Sequence, residues 1–366
     1  MLSLFRQWTD QVLGRGHAAI TVPVMDGAMK PNRALDEAQV LAEVPGLCDL
    51  ATDGRRVLVA AGSAVLEWDG RQLRPLFDVE APLSAIALNG AGEVAVALAG
   101  REVRVMREQG GAWSAAARLE RVAGAPLVGV NALSWDSRGR LLVTEGSRQR
   151  PPQEWCHDLM TLGRTGRLLR WTPGEADAER LAEGLSHAFG ALEVGDQTWV
   201  SESWAHRVRR AGGPARAEAV SGELVGYPSR MAAADGGGAW VSCFVCRSQL
   251  VEFVLREHGY RRRMLAEVDP RYWIAPALSS GKSFLEPLQG AGVKQMGVLK
   301  PWAPPRSYGL VLRLEPDGRI TRSLHSQVDG HHHGVTAVAQ AGPALYVASQ
   351  GAGRLLRLDP EGKEVA

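Results

Sequence analysis

The chain has 366 residues, enough for one large all-β domain or for two ordinary domains. Its 42 Lys and Arg residues nearly balance 40 Asp and Glu residues, so the formal net charge is +2. This balance does not indicate nucleic-acid binding, which needs a clustered basic surface. Four cysteines are too few for a disulfide scaffold. Cys243 and Cys246 form a lone Cys-x-x-C without a second pair of zinc ligands, and we interpret them as a buried structural pair.

The first 16 residues carry apolar side chains at helical spacing but lack the long apolar core of a signal peptide. No run in the chain approaches the about 18 apolar residues of a membrane span. We interpret 1–36 as a helix and an extended arm that docks on a main domain of residues 37–366. A weak membrane-surface anchor is the alternative, which the few cations disfavour. The sequence therefore predicts a cytoplasmic protein without a membrane span.

Short β-like runs recur along the chain, and each is followed by a turn signal and a second run. The six units begin with 48–70, 83–106, 131–147, 188–211, 229–245 and 334–360, and hairpins at 166–173 and 309–324 complete the third and the fifth. The first run of each unit is small and apolar, while the second is stronger and ends in Gly, Ser or Thr. That order is typical of a propeller blade, whose innermost strand is crowded near the axis. The sequence predicts an all-β fold, a six-bladed β-propeller.

Two segments interrupt this rhythm. Residues 248–305 begin with apolar side chains at helical spacing and continue through a stretch punctuated by Pro and Gly. We interpret them as a helical insertion in the fifth blade that forms a lid over one mouth of the propeller. Residues 38–44 suit the outermost strand of the sixth blade, which would close the ring by joining the two ends of the chain.

Three stretches carry a resemblance to a known family. They are NALSWDSRGRLLVTEGS (131–147), GRTGRLLRWTP (163–173) and AFGALEVGDQTWVSESWAHRVRR (188–210). The chain resembles the strictosidine-synthase-like branch of the gluconolactonase and regucalcin superfamily. The resemblance implies a six-bladed propeller with its small-molecule pocket at the axial mouth. It also implies hydrolysis of a lactone or ester, or a condensation reaction of a synthase or lyase in specialised metabolism.

In hydrolases of this superfamily the resemblance implies one calcium ion on the axis, held by Glu, Asn and Asp oxygens. Calcium takes about six to eight oxygen ligands. Asn131 stands where a ligand asparagine is expected and is the one candidate metal ligand that remains. By this resemblance, Cys48 stands in place of a ligand glutamate and Phe189 in place of a ligand asparagine. A Ser-Arg pair ending at Arg230 stands in place of an Asp-Asn pair. We therefore expect no cofactor, with the positive charge of Arg230 near the axis in place of calcium.

The general acid and base of strictosidine synthases is a glutamate of the last blade, and Thr336 stands at that position. Threonine does not carry protons near neutral pH, which disfavours a plant-type synthase. An alignment slip of a residue or two would restore part of a calcium site through Asp49 and Glu193.

Several histidines are further candidates for a catalytic base or a metal ligand. Three consecutive histidines, 331–333, precede the sixth inner strand, where they form either a solvated turn or an active-site base or metal ligand. His187 opens the fourth inner strand and either faces the mouth or has a structural hydrogen bond. We expect Glu202 and His206 to pair with nearby arginines, and Asp158 to orient the loop before Arg164.

The first functional hypothesis is a small-molecule enzyme in which a histidine activates water while Asn131 and Arg230 stabilise an oxyanion. The second is a small-molecule or protein-binding propeller that has lost catalysis. An enclosed, polar, lidded pocket favours the enzyme, whereas a filled axis with a flat exposed face favours binding. The candidate catalytic residues are His333, His332 and His187, and the candidate substrate-binding residues are Asn131, Phe189, Arg230 and Thr336.

Overall fold

The computed structural model describes residues 22–212, 219–283, 286, 294–295, 298–299 and 306–360. The predicted helix of residues 1–16 and most of 284–305 lie outside the described residues. Among the described residues, no helix has the length and apolar character that crossing a bilayer demands.

The chain folds into a six-bladed β-propeller, as the repeat pattern predicts. Each blade is an antiparallel sheet in which successive strands lie side by side, apart from an insertion between the second and third strands of blade 5. The ring is closed by β1 (Gln39–Glu43), which pairs in blade 6 with the last described strand. The predicted closing strand at 38–44 is confirmed by this pairing.

The strand bounds of the first three blades are as follows. Blade 1 has β2 (Leu47–Thr52), β3 (Val57–Ala61), β4 (Ala64–Trp68) and β5 (Leu73–Asp78). Blade 2 has β6 (Leu83–Leu88), β7 (Val94–Leu98), β8 (Glu102–Gln109) and β9 (Ala112–Leu119), and a short ribbon of β10 (Arg121–Val122) and β11 (Ala125–Pro126) follows it. Blade 3 has β12 (Val130–Trp135), β13 (Leu141–Glu145), β14 (Gly166–Trp171) and β15 (Glu179–Leu185), with helix α1 (Trp155–Met160) in the connection before β14.

The other three blades complete the ring. Within the described residues blade 4 has β16 (Ala188–Val194), β17 (Gln197–Glu202) and β18 (Arg207–Arg210). Blade 5 has β19 (Gly226–Ala233), β20 (Ala239–Cys246), β23 (Gly309–Leu314) and β24 (Ile320–Ser326), and between β20 and β23 lie α2 (Gln249–Arg256), α3 (His258–Glu267), β21 (Lys294–Gln295) and β22 (Val298–Leu299). Blade 6 has β25 (Val335–Ala341), β26 (Ala344–Ser349) and β27 (Arg354–Leu358) with β1.

The inner strands share one irregularity that shapes the centre of the molecule. Pairing of the inner strand with its neighbour skips one residue near the start of the strand in blades 1, 2, 3, 4 and 6. The skipped residues are Cys48, Ser84, Asn131, Phe189 and Thr336. Such a bulge turns backbone groups out of the ladder, and in blade 5 a longer irregularity between Pro228 and Met231 has the same effect. The bulges leave inner-strand carbonyl groups available to the axis.

The insertion in blade 5 is helical, as predicted, and it packs on the propeller. The hydroxyl of Ser248 accepts a hydrogen bond from the Val251 amide and caps α2, whose side chains Val251, Val254 and Leu255 are buried. After α3 the chain continues through 273–283 to blade 6. There the Leu278 carbonyl lies so near Gly351 that a Cβ on this glycine would be 1.9 Å from the oxygen. The described part of the insertion therefore reaches from blade 5 to blade 6.

Replacing Gly351 with alanine tests this contact. Because the new methyl group would force the Leu278 segment away, we expect G351A to lower the free energy of unfolding by about 1–3 kcal/mol. Hydrogen exchange of peptides from 273–283 should become faster. The matched control is G90A, since a Cβ at Gly90 meets nothing within 4 Å. Unchanged exchange of the 273–283 peptides in G351A would contradict the packing of this segment on blade 6.

Candidate functional site

The axis of the propeller is occupied by the guanidinium of Arg230. Its Nη1 donates to the carbonyls of Cys48 at 3.0 Å and Thr336 at 3.3 Å. Its Nη2 donates to the carbonyls of Ser84 at 2.7 Å and Asn131 at 2.6 Å. These four acceptors are the bulged residues of the inner strands of blades 1, 6, 2 and 3. One side chain of blade 5 thus hydrogen-bonds to four other blades.

Asp49 supplies the negative charge beside this guanidinium. Its Oδ1 lies 3.1 Å from Arg230 Nε, although the Nε–H makes no hydrogen bond, and its two oxygens accept the amides of Leu50 and Ile86. Burial raises the pKa of Asp49 to about 6, against the opposing effect of the Arg230 charge. A cavity of about 40 Å³ adjoins both side chains. That volume suits water rather than an organic substrate.

Gly190 explains why the arginine strand can approach the axis so closely. A Cβ on Gly190 would lie 2.6 Å from the Ser229 carbonyl oxygen and 2.8 Å from the Cα of Arg230. The neighbouring inner strands of blades 4 and 5 therefore pack backbone against backbone at this level.

The residues at the axis do not fit a calcium ion. Four carbonyl oxygens converge there, but each accepts from the guanidinium. The carboxylate beside them, Asp49, accepts hydrogen bonds from two amides. The candidate ligand Asn131 points elsewhere, because its Oδ1 accepts from the Thr144 hydroxyl at 2.9 Å and its Nδ2 donates to the Ala188 carbonyl at 2.9 Å. The Asn131 amide is therefore engaged by protein groups in this structure, and its role as a metal ligand stays a prediction. Among the described residues, no three His, Cys, Asp or Glu side chains cluster as metal ligands would.

Two further residues predicted to bind substrate, Thr336 and Arg230, also have protein partners in this structure. Thr336 is buried and its hydroxyl donates to the Cys48 carbonyl at 3.2 Å, so it faces protein rather than a pocket. Arg230 has four of its five N–H groups bonded to carbonyls, which leaves it no free pair of donors for an oxyanion. Burial raises the pKa of the Cys48 thiol to about 12, which disfavours the thiolate.

A carboxylate–imidazole pair lies at the mouth, where β16 begins. His187 Nδ1 is 3.1 Å from Asp158 Oδ2, and the same oxygen accepts from Trp204 Nε1 at 2.8 Å. Burial alone would raise the pKa of Asp158, but the hydrogen bonds from His187 and Trp204 hold that pKa below its ordinary value. The ionised carboxylate accepts only, so Nδ1 carries a proton, and in the neutral imidazole Nε2 keeps its lone pair. This nitrogen then accepts a hydrogen bond from Asn131 Nδ2 at 3.5 Å.

The backbone around this pair is built for close approach. His187 has φ of +58°, in the left-handed region that non-glycine residues seldom adopt. A Cβ on Gly146 would lie 2.6 Å from Asn131 Nδ2 and 2.7 Å from His187 Cε1. A Cβ on Gly163 would lie 2.2 Å from Asp158 Oδ1. Glycines of the β13–β14 connection thus make room for all three polar side chains.

Aromatic rings enclose the pair. Trp204 stacks on the His187 ring with centroids 4.3 Å apart, and Phe189 meets its edge at 5.7 Å. The Arg230 guanidinium lies over the Phe189 ring, 5.1 Å from its centroid. Phe189 and Trp204 also pack on the hydrophobic cluster that includes Phe244 and the buried face of α2. Phe189 therefore connects the axis to the mouth beneath the insertion.

The histidine triplet is only partly a solvated turn. His331 is exposed, whereas His332 and His333 are buried. Burial lowers the pKa of His332 to about 4 and also lowers the pKa of His333. His333 Nε2 is 2.6 Å from the Gln327 carbonyl and its Nδ1 is 2.8 Å from Ser307 Oγ. Within the described residues no hydrogen bond or ring contact links the triplet to His187, so the three candidate catalytic histidines do not form one site.

Asp158 and Trp204 are the site residues that sequence reasoning missed. We expected Asp158 to orient the loop before Arg164, but its carboxylate bonds instead to His187, 29 positions along the chain. The structural pairing expected for Glu202 is seen, since its Oε2 is 2.6 Å from Arg207 Nη2. His206 lies beside Glu252, with 3.6 Å between Nε2 and Oε1, rather than beside an arginine of its own strand.

Comparison with known proteins supports the fold. No protein-family model matches the chain, and no curated protein matches it. A gluconolactonase from Xanthomonas campestris is 15% identical and aligns over 90% of this chain and 93% of its own, with a TM-score of 0.54. A luciferin-regenerating enzyme is 15% identical over 89% and 95%, with a TM-score of 0.53. The aldose sugar dehydrogenase of Streptomyces coelicolor, in its PQQ-bound form, is 12% identical over 88% and 96%, with a TM-score of 0.52.

At these identities the likeness shows the propeller fold alone. These three proteins have different activities, so the shared fold does not select one of them. Gluconolactonase-like propellers are thus structural neighbours of this chain, and its resemblance to strictosidine synthases stays a prediction.

Removal of the axial guanidinium should be costly. We expect R230M to lower the free energy of unfolding by about 3–5 kcal/mol, because four carbonyls lose their donors and Asp49 loses its counter-charge. Urea unfolding measures this difference, and R138A, at an exposed turn, should stay within about 0.5 kcal/mol of wild type. The double variant R230M/D49N should recover part of the loss. Wild-type stability of R230M would contradict the role of the guanidinium.

Proposed function

We propose that this chain is a metal-independent hydrolase of a small lactone or ester. The observation that supports this proposal most is the buried Asp158–His187 pair at the axial mouth, in which Nε2 of the imidazole keeps its lone pair. A histidine oriented by a carboxylate through Nδ1 is the usual arrangement of a general base near pH 7.

In the proposed reaction His187 Nε2 takes a proton from water as the oxygen attacks the carbonyl carbon. Asp158 stabilises the imidazolium that forms and keeps the ring in one orientation. Arg230 is fully engaged at the axis, so the developing oxyanion would be met by the Asn131 amide. One Nδ2–H of Asn131 is bonded to the Ala188 carbonyl, and the other donates to His187 Nε2 at 3.5 Å. When Nε2 takes the proton from water it no longer accepts, so this second N–H would turn to the oxyanion. The imidazolium then returns the proton to the leaving oxygen.

The surroundings favour a substrate with an apolar body. Phe189, Trp204 and Trp155 are partly buried aromatic side chains of the cluster that encloses His187. Rings of this kind bind apolar or aromatic groups and exclude water from the reacting atoms. A condensation of the synthase type is disfavoured, because the position of its acid and base is held by Thr336.

A second candidate function is a binding propeller without catalysis. The filled axis favours it, since the cavity beside Arg230 and Asp49 has only about 40 Å³. Such a protein would use the mouth and its covering insertion to hold a small molecule or a protein segment.

Variants of the pair distinguish the two functions. In a screen of lactones and aryl esters without added metal, we expect turnover that H187Q and D158N lower by about 100-fold or more in kcat/KM. The control is H331Q, which changes an exposed histidine outside the pair and should keep wild-type activity. Melting temperatures near that of wild type must accompany the losses.

Full turnover by H187Q would remove the base from this mechanism. Absence of turnover in the whole screen, together with saturable binding of one of its compounds, would favour the binding propeller.

A further inference from the structure

A second polar chain, separate from His187, joins the insertion to blade 6. Ser280 Oγ lies 2.5 Å from Ser307 Oγ, and Ser307 Oγ lies 2.8 Å from His333 Nδ1. The far nitrogen of the ring, Nε2, lies 2.6 Å from the Gln327 carbonyl oxygen. Four groups from four places in the sequence thus form one continuous row of hydrogen bonds.

The Gln327 carbonyl at the end of the row determines which group donates and which accepts in each hydrogen bond. The Gln327 carbonyl can only accept, so His333 Nε2 carries the hydrogen and Nδ1 keeps the lone pair. Ser307 must therefore donate its hydroxyl hydrogen to Nδ1, and it can only accept from Ser280. The Ser280 hydroxyl donates to Ser307 and accepts from the Ser307 amide, whose nitrogen is 3.2 Å from Ser280 Oγ.

Burial distinguishes the two serines. Ser307 is only 1% exposed, and its hydroxyl is bonded to both Ser280 and His333. Ser280 is partly exposed and lies in the segment that the insertion places over blade 6. Two hydrogen bonds to Arg306 hold this segment. The Ala277 amide donates to the Arg306 carbonyl at 2.9 Å, and the side-chain Nε of Arg306 donates to the Ala275 carbonyl at 3.1 Å.

We propose that Ser280 is a nucleophile that accepts acyl groups from activated esters. Its Oγ attacks the ester carbonyl carbon and forms the new C–O bond. Its proton passes to Ser307 as the Ser307 proton passes to His333 Nδ1. Collapse of the tetrahedral intermediate breaks the bond to the alkoxide. The alkoxide takes a proton from the Ser307 hydroxyl beside Ser280 Oγ, and His333 Nδ1 returns its proton to Ser307. The products are an acyl-Ser280 ester and an alcohol, and water attacks the acyl ester in the second half of the cycle.

This inference does not rest on the proposed function. His187 and Asp158 belong to the start of blade 4 and α1, whereas the serine row belongs to the insertion and blades 5 and 6. Either centre can fail its own test while the other passes.

An alkyl fluorophosphonate is the probe for Ser280. A nucleophilic serine displaces fluoride from phosphorus and keeps the phosphonyl group, which intact-protein and peptide mass spectrometry locate. We expect one group per wild-type chain, attached at Ser280 and missing in S280A. We expect S307A and H333Q to label at least about 10-fold more slowly, and S307T, which keeps the hydroxyl, to recover the rate.

Two control variants complete the experiment. S279A removes the adjacent serine, which contributes no hydrogen bond to the described row, and should label at the wild-type rate. H187Q should also label at the wild-type rate, which separates this result from the hydrolase test. No label on folded wild-type protein, or a label on another residue, would overturn the proposal. So would wild-type labelling rates in both S307A and H333Q. Should S280A not fold, the peptide map of the wild-type protein decides alone.

Discussion

The hydrogen bonds from Arg230 to four inner strands are the constraint on which the rest of this propeller depends. Bulges at the start of the inner strands direct carbonyl groups toward one point on the axis, and buried carbonyls without a donor cost about 1–3 kcal/mol each. A guanidinium offers a planar set of five donors and a permanent charge, which suits several acceptors in one plane. Its partner Asp49 keeps the centre electrically balanced. The blades are thereby joined at the axis by a side chain of the protein itself.

Because the guanidinium and its carbonyl partners fill the axis, the candidate catalytic groups lie away from it. The groups proposed for this protein lie at the mouth and in the insertion. Phe189 separates the two regions, with Arg230 against one part of its ring and His187 near its edge. The insertion packs on the same aromatic cluster, so it both shields His187 and brings Ser280 to blade 6. Phe189 thus packs between the axial Arg230 and the candidate base His187, in the aromatic cluster that the insertion covers.

The sequence predicts which positions along the inner strands lie near the axis better than it predicts which way their side chains and carbonyl groups point. Repetition and family resemblance selected Cys48, Asn131, Phe189, Arg230 and Thr336, which all fall at the irregular start of an inner strand. Their equivalence is a property of the repeat and can therefore be recognised from local patterns. Whether a bulged residue turns its carbonyl or its side chain to the axis depends on neighbouring blades, which no local pattern records. For the same reason the carboxylate partner of the base and the serine row could not be predicted, since each joins residues far apart in the chain.

The central claim is that a guanidinium, and not a metal ion, satisfies the axial carbonyls. The most direct test is the metal content of the purified wild-type protein together with its melting temperature in calcium and in chelator. We predict a substoichiometric metal content and the same melting temperature in both conditions. About one calcium ion per chain, with a melting temperature that falls in chelator, would contradict the account.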